Sequence, residues 1–135
     1  MALAAGIKRI LLVGHAGKLI KLAAGVMNTH SRTADGRMEC LAAYGAACGA
    51  SQEMVRQILD CVTVDEALTI LEQEEGCREE TMKLAMRRIS VVLKQRTGGC
   101  VQTEAVLFTD ERGILGMTEG AIALVEMVSA GFCGK

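Results

Sequence analysis

A chain of 135 residues is long enough for a single hydrophobic core and is predicted to be one domain over residues 1–135. Half of its residues are hydrophobic, yet Tyr44, Phe108 and Phe132 are its only aromatics, so the core is aliphatic and a nucleic-acid reading based on base stacking is weakened. The net charge of −1 conceals an asymmetry: residues 1–37 hold six basic residues and one acid, +5, and the remainder nine and fifteen, −6, which predicts a localised anionic ligand and no bulk adhesion to nucleic acid or membrane.

In chain order, Lys8–Val13 is a continuous apolar run ended by Gly14, the pattern of a strand buried on both faces. Ala16–Ala24 follows as a helix with Leu19, Ile20 and Ala23 on one side, closed by Gly25, and residues 26–36 form a loop. The pattern then stays helical. Met38, Leu41, Ala42 and Gly45 mark a helix with small residues for close packing. Ser51 caps the next, with Met54, Val55, Ile58 and Leu59 facing inward. Thr63 and Glu66 form a capping box for a third, ending at Gly76. Glu79–Arg96 is a long helix with an apolar stripe of Met82, Ala85, Met86, Ile89 and Leu93, broken by Gly98-Gly99. Val101–Thr109 reads as a strand, Asp110–Gly113 as a hairpin turn into Ile114–Leu115, and Thr118–Ser129 as a last helix. The fold class is therefore α/β and helix-rich, a short parallel or mixed sheet with helices packed on it. About three strands for five or six helices is too few to surround a buried parallel strand, which predicts an incomplete part of a larger α/β domain.

The six cysteines contain no C-x-x-C pair, and none stands at a metal-ligand spacing from His15 or His30; they read as reduced structural thiols, with no metal site. The first residues are too short and weakly patterned for a signal peptide, and no apolar run approaches the ~20 residues of a membrane span, so a cytoplasmic protein is predicted.

Two segments concentrate the chemistry. Gly14-His15-Ala16-Gly17-Lys18 sits at a strand-to-helix junction, where glycines permit a sharp turn, helix-start amides attract anions and Lys18 adds charge. It is not a phosphate-cradling Walker loop, because Leu12 and Leu19 stand where glycine and Ser/Thr are required. Asn28-Thr29-His30-Ser31-Arg32-Thr33-Ala34-Asp35 offers an amide, hydroxyls, an imidazole, a guanidinium and a carboxylate, more than turn-making needs. There His30 has the chemistry of an acid or base and Arg32 that of a bidentate carboxylate clamp.

The run LLVGHAGKLIKLAAGVMNTHSRTADGRMECLAAYGAACGA closely resembles the signature region of the cobalt-precorrin-5B C1-methyltransferase (CbiD) family of anaerobic cobalamin biosynthesis. The G-H-x-G-K turn, the K-L-A-A-G helix, the N-T-H-S-R-x-A-D loop and the R-M-E helix start occur together and in order. The resemblance implies methyl transfer from S-adenosylmethionine to C1 of a corrinoid tetrapyrrole, giving cobalt-precorrin-6A, with cobalt entering only as part of the substrate. It also implies that Lys18, Arg32 and Arg37 pair with the substrate's carboxylates, that Gly14, His15, Gly17, Asn28 and Thr29 join them in substrate binding, and that His30, Ser31 or Asp35 assists proton loss. Family members are much longer, so the chain corresponds to their carboxy-terminal third, with a missing amino-terminal portion or a homo-oligomer completing it and the fragment inactive alone. Two other readings compete: an α/β protein binding phosphate or nucleotide at Gly14–Lys18, and a non-catalytic interaction module.

Overall fold

Ten short elements follow from these local signals. The structure, a computed structural model, describes residues 9–24, 36–98 and 100–133; for Ala24 and residues 128–133 it describes the backbone alone. Strand β1 (Arg9–His15) leads into α1 (Ala16–Leu19), which tightens into a 3-10 helix (Ile20–Ala24). Then come α2 (Arg37–Ala47), α3 (Gln52–Leu59), α4 (Val64–Leu71), α5 (Cys77–Thr97), β2 (Gln102–Thr109), β3 (Gly113–Met117) and α6 (Ala121–Cys133). Among the described residues, this is six α-helices on a three-stranded mixed sheet, the expected α/β class.

The sheet order is β1-β2-β3. β1 and β2 run parallel, with Leu12 opposite Ala105 and His15 opposite Phe108, so α1 to α5 all lie in the crossover that parallel pairing requires. β2 and β3 are antiparallel, and a register shift between Leu107 and Phe108 marks a bulge. Past the strand end, the Ala105 amide donates to Thr118 Oγ1 at 2.9 Å and the Thr118 amide to the Ala105 carbonyl at 2.9 Å.

The central strand is β2, not β1. Ala105 and Leu107 are fully buried against the helices, whereas no residue of β1 is fully buried and Val13 is 60% exposed. The sequence places a strand buried on both faces at 8–13. The correction follows from topology: among the described residues β1 is an edge strand. Glu104 and Val106 alternate with Ala105 and Leu107 and so point to the opposite face, where the Gly120 amide ahead of α6 donates to Glu104 Oε1 at 3.3 Å.

Caps set the helix starts. Ser51 Oγ accepts from the Met54 amide at 3.2 Å, and Thr63 and Glu66 exchange both bonds of a capping box. α4 stops at Leu71, short of Gly76, which in the left-handed region (φ +77°) instead opens α5, while Gly98 (φ +63°) closes it. The expected α5 stripe is buried in full, joined by Val92. In α3, Met54 and Ile58 face inward, but Leu59 is 48% exposed at the helix end.

The core is aliphatic, with Ile20, Leu41, Ile58, Leu68, Leu71, Ile89 and Leu107 fully enclosed. One charged residue joins it: Lys21, counted above with the basic segment, is 1% exposed and engaged with a partner. Burial pushes the Cys40, Cys61 and Cys77 thiols up, which fits small hydrophobes better than nucleophiles. Among the described residues no helix is long and apolar enough to cross a membrane.

Candidate functional site

At the carboxyl end of β1 the chain turns through Gly14 into α1. A Cβ on residue 14 would come within 2.8 Å of Leu19 Cδ1, so the absence of a side chain lets α1 fold back onto the strand. His15 is the N-cap of α1, and its Nδ1 accepts the Gly17 amide at 2.9 Å, which leaves the ring proton on Nε2. The imidazole meets the Phe108 ring edge to face, centroids 5.9 Å apart. The helix-start amide at Gly17, expected to attract an anion, is thus already used by His15, and charge here comes from side chains.

Arg37, the first residue of α2, is brought to this turn: a Cβ on Gly17 would lie 4.0 Å from Arg37 Nη1 and 3.0 Å from His15 Nδ1. His15, Gly17, Lys18 and Arg37 line part of a cleft of about 430 Å³. Four of the residues singled out in the sequence therefore converge although Arg37 lies nineteen positions beyond Lys18. Asn28, Thr29, His30, Ser31, Arg32 and Asp35 lie outside the described residues.

The rest of the lining was not legible in the sequence. It consists of Thr63, Val64 and Asp65 from the start of α4, and Glu111 from the β2–β3 turn. Thr63 reads there only as a cap and Glu111 only as a turn residue. What fixes this part is Arg112, whose side chain is 14% exposed. Its Nη1 donates to Asp65 Oδ1 at 2.7 Å, its Nε and Nη2 hold Glu72 in a fork at 3.1 and 3.0 Å, and Nη2 also reaches Thr69 Oγ1 at 2.9 Å. The hydrogen bonds from Arg112 hold the Glu72 carboxyl below the usual carboxylate range, and the same partner pushes the Arg112 guanidinium up. Glu72, the C-cap of α4, is thus a strut between that helix and the hairpin.

The cleft brings the cations Lys18 and Arg37 and the His15 imidazole together with the acids Asp65 and Glu111, both of which Arg112 reaches. Lys18, exposed at its rim, suits a carboxylate group on a ligand. Among the described residues no group of three or more His, Cys, Asp or Glu side chains could hold a metal ion.

A family profile described as CbiD, C-terminal domain, matches residues 28–119. The chain is 49% identical over 104 residues to the cobalt-precorrin-5B C(1)-methyltransferase of Ruminiclostridium cellulolyticum, covering 77% of this chain and 27% of that protein. It is 40% identical over 124 residues to the protein of the same name from Alkaliphilus metalliredigens, covering 92% and 32%. Over 70 residues it is 54% identical to that of Synechococcus elongatus. The chain thus spans about 30% of the length of the first two relatives. No solved structure matches. With the profile spanning residues 28–119, most of the chain, the chain belongs to the CbiD family and carries its C-terminal domain.

Proposed function

We propose that this chain is the substrate-gripping part of a methyltransferase that methylates C1 of cobalt-precorrin-5B, giving cobalt-precorrin-6A in anaerobic cobalamin biosynthesis. The observation that carries the reading is the convergence of His15, Lys18 and Arg37 on one cleft, in a chain whose relatives bear that enzyme's name. The substrate is a macrocycle ringed by carboxylates, and the cations at the cleft, Lys18 and Arg37, are complementary to one edge of it. Arg37 forks one carboxylate; Lys18, a point charge on a flexible stem, takes a second; the His15 Nε2 proton is available for a third oxygen. Arg32 adds a further cation, with Asn28 and Thr29 supplying hydrogen bonds.

The methyl donor, S-adenosylmethionine, supplies a methyl group on a sulfonium that leaves as a neutral thioether. Such a displacement depends chiefly on holding the acceptor carbon in line, so fixing the macrocycle through its carboxylates is the chain's main contribution. His30, Ser31 or Asp35 takes the proton the ring loses. Cobalt arrives inside the macrocycle and is substrate, not a resident metal.

Titration of cobalt-precorrin-5B into the purified chain, followed by visible absorbance with and without S-adenosylmethionine, tests the reading. Saturable binding at one site per chain is expected. A folded chain that leaves the spectrum unchanged would overturn it.

A further inference from the structure

A second, larger depression of about 800 Å³ runs between α5 and β3 and shares none of the cleft's cationic residues. Met82, Met86 and Val91 from α5 and Ile114, Leu115 and Met117 from β3 form the apolar part of its lining, which six charged residues complete. Ile114 is 61% and Val91 41% exposed. β3 pairs with β2 alone, so among the described residues its other edge presents unpaired amides and carbonyls. An apolar groove beside an open strand edge is what an added strand requires: main-chain bonds on one side, pockets for alternate side chains beneath. Methionine lining adapts readily to such a guest.

What covers the groove follows from the family. The matched region is a C-terminal domain and about 30% of the length of the relatives, so a CbiD chain has a larger part ahead of it. A tethered segment meets the groove at an effective concentration on the order of millimolar. A second copy pairing through the five residues of β3 would instead have to offset the lost freedom of association, and stable dimers generally bury more than about 1,200 Å². We infer that the α5–β3 groove receives an extended segment of the amino-terminal part of a CbiD chain, added as a strand at the open edge of β3 with apolar side chains seated among Met82, Met86 and Ile114. This inference rests on family membership and not on the ligand assigned to the cleft.

The test joins the amino-terminal part of the Ruminiclostridium cellulolyticum relative to this chain and compares amide hydrogen exchange at Gly113–Met117 with that in the 135-residue chain. Exchange at β3 is expected to slow on the order of tenfold or more in the chimera. Ile114→Lys is expected to reverse that slowing while leaving the thermal midpoint of the 135-residue chain unchanged, since the side chain is exposed there. Equal exchange in both proteins, or slowing that survives Ile114→Lys, would overturn the inference. So would a dimer of the 135-residue chain that Ile114→Lys dissociates, which would assign the groove to a second copy. If the chimera does not fold, overlapping synthetic peptides from the same amino-terminal part serve as probes, and failure of every peptide to slow exchange at β3 equally overturns it.

Discussion

His15 serves two ends from one backbone position. Its Nδ1 caps α1 through the Gly17 amide, and the residue also lines the cleft. His15→Ala is therefore expected to cost about 0.5–1 kcal/mol in chemical denaturation, the lower half of the range for a lost cap because α1 has only four residues. His15→Asp restores an acceptor for that amide and is expected to recover stability but not ligand affinity, since it sets a negative charge beside Lys18. Equal affinity for wild type and His15→Asp would show that the imidazole does not touch ligand. At this scale the sequence was informative about which residues matter and less so about where they go. The G-H-x-G-K turn is local and its cap depends on neighbours two positions apart. The burial of Lys21 depends on helices that pack on it from far along the chain, and no local signal distinguishes it from solvent-facing Lys18.

Between elements, the Arg112 cluster joins the β2–β3 turn to α4 and fixes Asp65 at the cleft. Arg112→Gln is expected to destabilise by about 1–2 kcal/mol at neutral pH, a modest value because Glu72 is partly in solvent. Because Arg112 holds the Glu72 carboxyl low, the stabilisation is complete above the unfolded carboxylate value near ~4.3 and fades as pH falls below it. The stability gap between wild type and Arg112→Gln should thus be widest at neutral pH and narrow toward about pH 3; a gap independent of pH would show that the guanidinium acts by packing alone. Packing between helices is the other constraint at this scale. A Cβ on Gly45 of α2 would lie 2.8 Å from Leu71 Cδ2 of α4, and Gly45→Val is expected to cost about 1–3 kcal/mol by overpacking, measured by urea denaturation. The small-residue pattern in α2 announced that close approach, and the Ser51 and Thr63 caps announced two helix starts. The Arg112–Asp65 bond spans 47 positions, and nothing in either neighbourhood encodes it.

On the scale of the molecule, the basic segment and the incomplete sheet are the two features that composition and pattern foretold. Of the six basic residues in 1–37, Lys18 and Arg37 lie beside the cleft, Arg9 at the far end of β1 and Lys21 in the core, while Lys8 and Arg32 lie outside the described residues. The scarcity of strands resolves into a sheet whose outer strands both have open edges among the described residues, with the central place taken by β2. That exchange of roles was hidden because apolar content alone does not distinguish an edge strand awaiting a neighbour from a central one. Under the proposed function, Lys18 and Arg37 at the cleft hold carboxylates of a corrinoid. The most direct measurement is the dissociation constant of cobalt-precorrin-5B for wild type, for Lys18→Ala with Arg37→Ala, and for Arg88→Ala on the exposed face of α5. Each lost charged hydrogen bond is expected to weaken binding on the order of tenfold, so the double variant should bind about a hundredfold more weakly and Arg88→Ala as wild type. A folded double variant that binds as tightly as wild type would contradict the account.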